Sequence, residues 1–96
     1  MSLRRFAPLA ALALALAVWL GLPPAEMALV VLTIGLVLAV EAINTAIEAA
    51  CDLVSPGYHP LVKRAKDVSA AGVLLAAVAA VGVAIALFVP RLLRGL

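Results

Sequence analysis

Three long runs of apolar residues alternate with short polar segments along this chain. Phe6–Ala25 and Val68–Pro90 contain no charged residue, and Met27–Val40 is a third uncharged run that leads into a mixed polar segment. A run of about 20 apolar residues matches the thickness of the hydrocarbon layer of a bilayer. The pattern therefore predicts an all-α integral membrane protein with three transmembrane helices.

Turn-forming residues divide the chain into these helices, which we expect to form one membrane domain, residues 1–96. Pro23-Pro24 and Ser55-Pro56-Gly57 interrupt the apolar pattern, and Pro90 is expected to close the last helix. Pro60 suits a first helical position. The predicted helices are about Arg5–Leu22 (span 6–22), from Ala25–Met27 to Val54 (span 27–54) and Pro60–Val89 (span 60–89).

The basic residues predict how the helices are oriented. One side of the membrane would carry five of them and the other side only Arg91 and Arg94. Lysine and arginine accumulate on the cytoplasmic side of membrane proteins. The N terminus and the loop between helices 2 and 3 are therefore expected in the cytoplasm. The five residues on that side are Arg4, Arg5, Lys63, Arg64 and Lys66.

Composition narrows the classes of protein further. Hydrophobic residues make up 68% of the chain and charged residues 12%, whereas a soluble chain is about half apolar and a quarter charged. The formal net charge of +2 is too small to indicate a nucleic-acid partner. Cys51 is the single cysteine, so an internal disulfide is excluded. Arginines before an apolar run also resemble a signal peptide, but the run is long and Leu22–Glu26 is a poor cleavage site.

The most informative polar residues lie on one side of helix 2. At about 100° per residue, four of them fall within an arc of roughly 80°, and the opposite face carries Ala, Ile and Cys. Three carboxylates in a segment without a basic residue repel one another unless a cation lies between them. The four residues of this acidic stripe are Glu41, Asn44, Glu48 and Asp52.

Depth in the membrane predicts different roles along the acidic stripe. If helix 2 enters the hydrocarbon at Met27, about 20 residues carry it to Ala46. Glu48 and Asp52 then lie at or beyond the boundary, where they suit Mg²⁺, which takes one or two carboxylates together with phosphate oxygens and water. Glu41 lies about 7 Å inside, so it is expected to face other helices and suits proton abstraction from a hydroxyl group arriving through the membrane.

A purely structural interpretation of the acidic stripe stays open. Glu41 and Asn44 would join helices by hydrogen bonds, while Glu48 and Asp52 would pair with lysines. Small residues at four-residue spacing would also let helices approach closely, although an Ala-rich chain produces such spacings by chance. The lysines concerned are Lys63 and Lys66, and the small residues are Gly72, Ala76 and Ala80 on helix 3 with Gly35 and Ala39 on helix 2.

The segment Tyr58-His59-Pro60 opens helix 3 next to Lys63, Arg64 and Lys66. A helix N terminus carries unpaired N–H groups and the positive end of the helix dipole, so it attracts phosphate. Together with the predicted metal ligands, this indicates a nucleoside triphosphate site. The alternative is ordinary positive-inside topology with a helical pair of Lys63 and Asp67 and with His59 as a loop or cap residue. The sequence has no Gly-rich phosphate loop, so phosphoryl transfer would use helix ends, carboxylates and lysines.

The run from Glu41 to Asp52, followed by Tyr58-His59 and Arg64-Ala65-Lys66-Asp67, closely resembles the prokaryotic diacylglycerol kinase and undecaprenol kinase family. The resemblance covers roughly Leu12 to Val89. It implies a three-span homotrimeric lipid kinase of the bacterial plasma (inner) membrane. Such an enzyme transfers the γ-phosphate of ATP directly to the hydroxyl group of a membrane lipid, with Mg²⁺.

The resemblance also implies roles for individual residues. Glu41 resembles the family's proton acceptor, and Asn44 resembles the amide near the acceptor hydroxyl. Glu48 resembles the ligand of metal and nucleotide, and Asp52 corresponds to the signature aspartate, a weaker metal ligand. The implied contacts to ATP in the loop and on helix 3 are Gly57, Tyr58, His59, Lys66 and Asp67.

The sequence departs from the family pattern in two places. Cys51 stands where the signature usually has Val, which changes packing but not chemistry. Family members begin with an amphipathic cytoplasmic helix that supplies a second acidic metal ligand. We expect this chain to lack that helix, because the chain starts at about the point where the helix ends and Met1-Ser2-Leu3-Arg4-Arg5 contains no acid. Either the start is misplaced or trimmed, or the protein works with half of its metal ligands, or it is inactive. The alternatives are a truncated, catalytically inactive relative that acts as a membrane assembly or interaction protein, and a small cation carrier that uses the buried carboxylates.

Overall fold

The computed structural model is an elongated bundle of three helices, which confirms the all-α prediction. It describes residues 3–95; Met1, Ser2 and Leu96, at the ends of the predicted 1–96 domain, lie outside the described residues. The bundle measures 54 × 20 × 18 Å, and α2 packs mainly against α3, with α1 alongside both. After a 3-10 turn at Leu3–Arg5, the helices are α1 (Ala7–Leu20), α2 (Pro24–Val54) and α3 (Pro60–Arg94).

The first helix ends before the predicted limit at Leu22. Gly21 follows α1 with φ of 67°, a left-handed conformation that glycine adopts without a Cβ clash. Its N–H donates to Val18 O at 3.1 Å, and Leu22 N–H donates to Ala17 O at 3.2 Å. These two bonds form a Schellman motif. The left-handed conformation of Gly21 therefore ends the helix before Pro23-Pro24. The 14 residues of α1 extend about 21 Å.

The second helix begins at Pro24, slightly earlier than predicted, and ends at the predicted Val54. Proline is favoured in the first turn of a helix because its missing N–H has no partner to lose there. Glu26 also lies in this turn, where a negative charge faces the positive end of the helix dipole. With 31 residues, α2 extends about 46 Å, which is longer than the hydrocarbon layer.

The third helix continues through Pro90 to Arg94, so the prediction that Pro90 closes it at Val89 is wrong. Proline removes one backbone hydrogen bond from a helix but does not prevent the next turn from forming where other contacts hold it. Arg91, the residue after Pro90, makes such a contact. Arg91 Nη2 donates to Glu26 Oε2 at 2.6 Å, which ties the end of α3 to the start of α2.

Most large apolar side chains lie on the outer faces of the bundle. Trp19, Leu32 and Leu75 are each 70% exposed or more. Within residues 3–95, α2 and α3 are long and apolar enough to cross a membrane, whereas α1 is apolar but has only 14 residues. Outer surfaces of this composition suit hydrocarbon or another protein surface better than water. The buried apolar residues are Ala17, Leu22, Val30, Val37, Val73 and Ala76.

The small residues of the two long helices have different surroundings. A Cβ atom added to Gly72 would lie 3.8 Å from Val40 Cγ1, so Gly72 faces α2 across the helix interface. Ala76 is buried one turn later, whereas Gly35 and Ala39 are exposed. The small residues of α3 therefore lie within the bundle, and those of α2 lie on its surface.

Candidate functional site

The side chain of Glu41 is fully buried inside the bundle. Neither of its carboxyl oxygens has a hydrogen-bond partner among residues 3–95. The residue therefore faces protein and not lipid, as its predicted depth requires. A buried polar group without a partner is costly, and such groups are characteristic of sites that bind a ligand or perform chemistry.

Asn44 lies one turn further along α2 and is 2% exposed. Its Oδ1 accepts a hydrogen bond of 2.7 Å from Ser69 Oγ on α3, and its Nδ2 donates a long bond of 3.4 Å to Glu48 Oε1. Ser69 was absent from the sequence predictions. The sequence could have indicated it, because Ser69 is the single polar residue of the uncharged run Val68–Pro90.

The C-terminal end of the acidic stripe is joined to α3 by an ion pair. Lys66 Nζ lies 2.6 Å from Asp52 Oδ1, and Lys63 Nζ lies 2.6 Å from Asp67 Oδ2. The structural alternative for Asp52 is thus partly realised, with Lys66 as its partner, whereas Lys63 pairs within its own helix. All four side chains are more than a third exposed, so these pairs contribute little to stability.

Two carboxylates of α2 remain the candidates for Mg²⁺. Residues 3–95 contain no group of three or more His, Cys, Asp or Glu side chains placed to hold a metal ion. The Mg²⁺ prediction therefore rests on one or two carboxylates, with substrate phosphates and water as the other ligands. Glu48 is half-buried and accepts a hydrogen bond from Asn44, whereas Asp52 is exposed and its Oδ1 is bound to Lys66.

An open groove of about 400 Å³ lies at the connection between α2 and α3. Five of the six residues predicted to contact nucleotide line it together, whereas Glu48 is not among its lining residues. Lys63 adds a second lysine to its lining. The five predicted residues are Gly57, Tyr58, His59, Lys66 and Asp67.

The N terminus of α3 has fewer backbone N–H groups available to bind phosphate than the sequence predicts. His59 Nδ1 accepts the Leu61 N–H at 3.1 Å, and Pro60 has no N–H group. His59 is therefore a helix cap, which was the simpler interpretation of this residue. Phosphate recognition in this groove would rest mainly on Lys63 and Lys66.

An apolar cleft of about 350 Å³ lies between all three helices. Val37, which lines this cleft, precedes Glu41 by one turn on the same face of α2. The cleft thus lies next to the buried carboxyl group along the helix. Other residues of its lining are Phe6, Val30, Ala80 and Phe88.

Comparison with known proteins finds a family model and several curated relatives. The family model described as "Prokaryotic diacylglycerol kinase" matches residues 1–88. The diacylglycerol kinase of Escherichia coli (strain K12) is 41% identical over 70 residues, which cover 73% of this chain and 57% of that protein.

Two further relatives show similar coverage. The diacylglycerol kinase of Synechocystis is 48% identical over 75 residues, covering 77% of this chain and 43% of the relative. The undecaprenol kinase of Bacillus subtilis is 39% identical over 67 residues, covering 70% of this chain and 54% of the relative. The chain thus spans about half the length of the curated relatives that it matches.

Proposed function

This chain belongs to the prokaryotic diacylglycerol kinase family, and on that premise we propose that it transfers the γ-phosphate of ATP to the hydroxyl group of a membrane lipid, diacylglycerol or undecaprenol. The observation that carries the proposal is the buried carboxyl group of Glu41, which lies on a helix long and apolar enough to cross a membrane. A lipid hydroxyl group reaches that depth, whereas a water-soluble acceptor does not.

In the proposed reaction, Glu41 accepts the proton of the lipid hydroxyl group. The lipid oxygen forms a bond to the γ-phosphorus, the bond from that phosphorus to the bridging oxygen breaks, and ADP leaves. Both Glu41 oxygens lack a hydrogen-bond partner in residues 3–95, so a hydroxyl group would find an acceptor there. General-base catalysis of this kind contributes about 10²–10⁴-fold to a rate. Asn44, one turn away, would orient the same hydroxyl group.

We assign ATP to the open groove between α2 and α3. Lys66 would leave Asp52 to contact a phosphate, and the exposure of that ion pair makes the exchange inexpensive. Lys63 would be the second phosphate contact. The other residues that line the groove and would contact ATP are Gly57, Tyr58, His59 and Asp67.

Glu48, and more weakly Asp52, would hold Mg²⁺ at the edge of the acidic stripe. The ion, when bound, would offset the negative charge of the phosphates. Glu48 is oriented for this by the Asn44 amide, which donates to its Oε1.

The apolar cleft supports a lipid acceptor, because it offers space for an acyl or prenyl chain one turn from Glu41. Apolar contacts discriminate poorly between such chains, so both lipids remain candidates.

We further propose that α1 is a third span and that the protein is a homotrimer in the bacterial plasma membrane, with a cytoplasmic N terminus. The exposed apolar faces of all three helices and the exposed Gly35 and Ala39 support contact with lipid and with neighbouring copies.

The test is incubation of the purified chain, in detergent micelles containing Mg²⁺, with ATP labelled at the γ-phosphate and with diacylglycerol or undecaprenol. We expect label in the lipid extract with at least one of these alcohols, and none with triacylglycerol, which has no hydroxyl group. If neither alcohol becomes labelled, the proposed activity is wrong and the chain is an inactive member of its family.

A further inference from the structure

A series of two hydrogen bonds links α3 to the proposed metal ligand. It runs from Ser69 through Asn44 to Glu48. Ser69 Oγ donates to Asn44 Oδ1 at 2.7 Å, and Asn44 Nδ2 donates to Glu48 Oε1 at 3.4 Å. Ser69 Oγ also lies 3.1 Å from the carbonyl oxygen of Lys66, one turn earlier on α3. One half-buried hydroxyl group thus contacts the acidic stripe and the turn that carries Lys66.

We propose that Ser69 is a positioning residue of the kinase site, whose hydroxyl group fixes the Asn44 amide so that its NH₂ group faces Glu48. This inference rests on the proposed function. An amide presents an acceptor on one side and two donors on the other, and its partners decide which way it points. With the hydroxyl hydrogen directed at Oδ1, Nδ2 points to Glu48. The reversed amide would set two acceptors, Oδ1 and the carboxylate, against each other.

Burial gives this orientation its importance. Asn44 is 2% exposed, so water cannot replace the hydroxyl group as a donor to Oδ1. Loss of the hydroxyl group leaves Oδ1 without its donor, so the amide is held only from the Glu48 side and its donor is less well fixed toward Glu48. Glu48 would then be less well placed for Mg²⁺, in the way that outer-shell partners of metal ligands control affinity. Ser69 acts through Asn44 and does not itself contact substrate.

A spectroscopic test is direct because Asn44 is the only asparagine and the chain contains no glutamine. Its side-chain NH₂ group therefore gives one pair of signals in a ¹⁵N–¹H correlation spectrum. Ser69→Thr keeps the hydroxyl group, and Ser69→Val replaces that hydroxyl group by a methyl group of similar size. We expect the Asn44 signals of the Thr variant to match the wild type and those of the Val variant to move. Coincident signals in the Val variant and the wild type would overturn the inference.

The same variants test the link to the metal site. At a fixed concentration of a non-hydrolysable ATP analogue, the Mg²⁺ concentration that half-saturates the change in the Asn44 signals should rise about tenfold in Ser69→Val and not in Ser69→Thr. In the kinase assay, the Mg²⁺ requirement should shift in parallel in Ser69→Val and stay at the wild-type value in Ser69→Thr. An equal Mg²⁺ requirement in the Val and Thr variants would overturn the inference.

Ser69→Ala replaces Ser69→Val if the larger side chain prevents folding, and the same outcomes apply to it. Failure of the proposed function is distinguishable from failure of this inference. A wild-type chain that phosphorylates neither lipid overturns the kinase function, and the positioning role with it. If the wild type is active but the Asn44 signals of Ser69→Val coincide with those of the wild type, the positioning role alone is overturned.

Discussion

Lys66 Nζ on α3 lies 2.6 Å from Asp52 Oδ1 on α2, so a residue assigned to the nucleotide is bound to a carboxylate assigned to the metal. The Lys66 side chain is 38% exposed and that of Asp52 is 64% exposed. Phosphate and Asp52 would compete for the same ammonium group. In the proposed nucleotide site, Lys66 would exchange Asp52 for a phosphate, and the exposed ion pair is weak enough for that exchange.

Asp52→Asn should change the protein little. Because the ion pair is exposed, the midpoint of unfolding in a detergent titration should stay close to that of the wild type. The Mg²⁺ requirement of the kinase reaction should rise less than in Glu48→Gln, since we propose Asp52 as the weaker ligand. An Asp52→Asn variant with the larger Mg²⁺ requirement would reverse this assignment.

Glu48→Gln should weaken binding of Mg²⁺ and ATP together. A neutral amide is a poor ligand for Mg²⁺, and loss of even an outer-shell partner typically lowers metal affinity about 10–100-fold. We expect the Mg²⁺ concentration for half-maximal rate to rise by more than about tenfold. Glu26→Gln is the matched control, because Glu26 binds Arg91 at the other end of α2. Equal Mg²⁺ curves for Glu48→Gln and Glu26→Gln would contradict the metal assignment.

The pair formed by Glu26 and Arg91 should stabilise the bundle measurably. Each side chain is 28% exposed, and the bond joins residues 65 positions apart. A double-mutant cycle with Glu26→Gln and Arg91→Met should give a coupling energy of about 1–2 kcal/mol, between the values for exposed and buried pairs. The measurement is the free energy of unfolding in a detergent titration. Strictly additive single substitutions would show that the contact contributes nothing.

Gly72 should tolerate a methyl group but not a larger side chain. A Cβ atom there lies 3.8 Å from Val40 Cγ1, an ordinary contact distance, so Gly72→Ala should be neutral or slightly stabilising. Gly72→Leu forces α2 and α3 apart and should destabilise the protein by about 1–3 kcal/mol. Gly82→Leu is the control, because a Cβ atom at Gly82 meets no atom within 4 Å. Equal losses in both leucine variants would contradict the described interface.

Local periodicity was sufficient to place the acidic stripe. The angular spacing of Glu41, Asn44 and Glu48 predicts one face of α2, and the cost of a charge in hydrocarbon predicts that this face is turned inward. The structure buries Glu41 and Asn44 fully and Glu48 partly. The end of α2 at Val54 was also predicted from local sequence, because the turn residues Ser55-Pro56-Gly57 follow it directly.

Contacts between helices were predicted only in part. The sequence offered Lys66 as a partner of Asp52 in the structural alternative, but the bond from Ser69 to Asn44 depends on the register of α3 against α2, which side-chain packing decides. The prediction that Pro90 ends α3 was wrong for a related reason. Its effect on α3 depends on the neighbouring contact of Arg91 with Glu26, 65 residues away in the chain.

The most direct test of the account compares Glu41→Gln with the wild type, using labelled ATP and both lipid alcohols. Glutamine keeps the size of the side chain and removes its capacity to accept the hydroxyl proton. We predict that turnover falls about 10²–10⁴-fold while the affinity for the Mg²⁺–ATP complex is unchanged. A Glu41→Gln variant that phosphorylates diacylglycerol or undecaprenol at the wild-type rate would contradict the central claim.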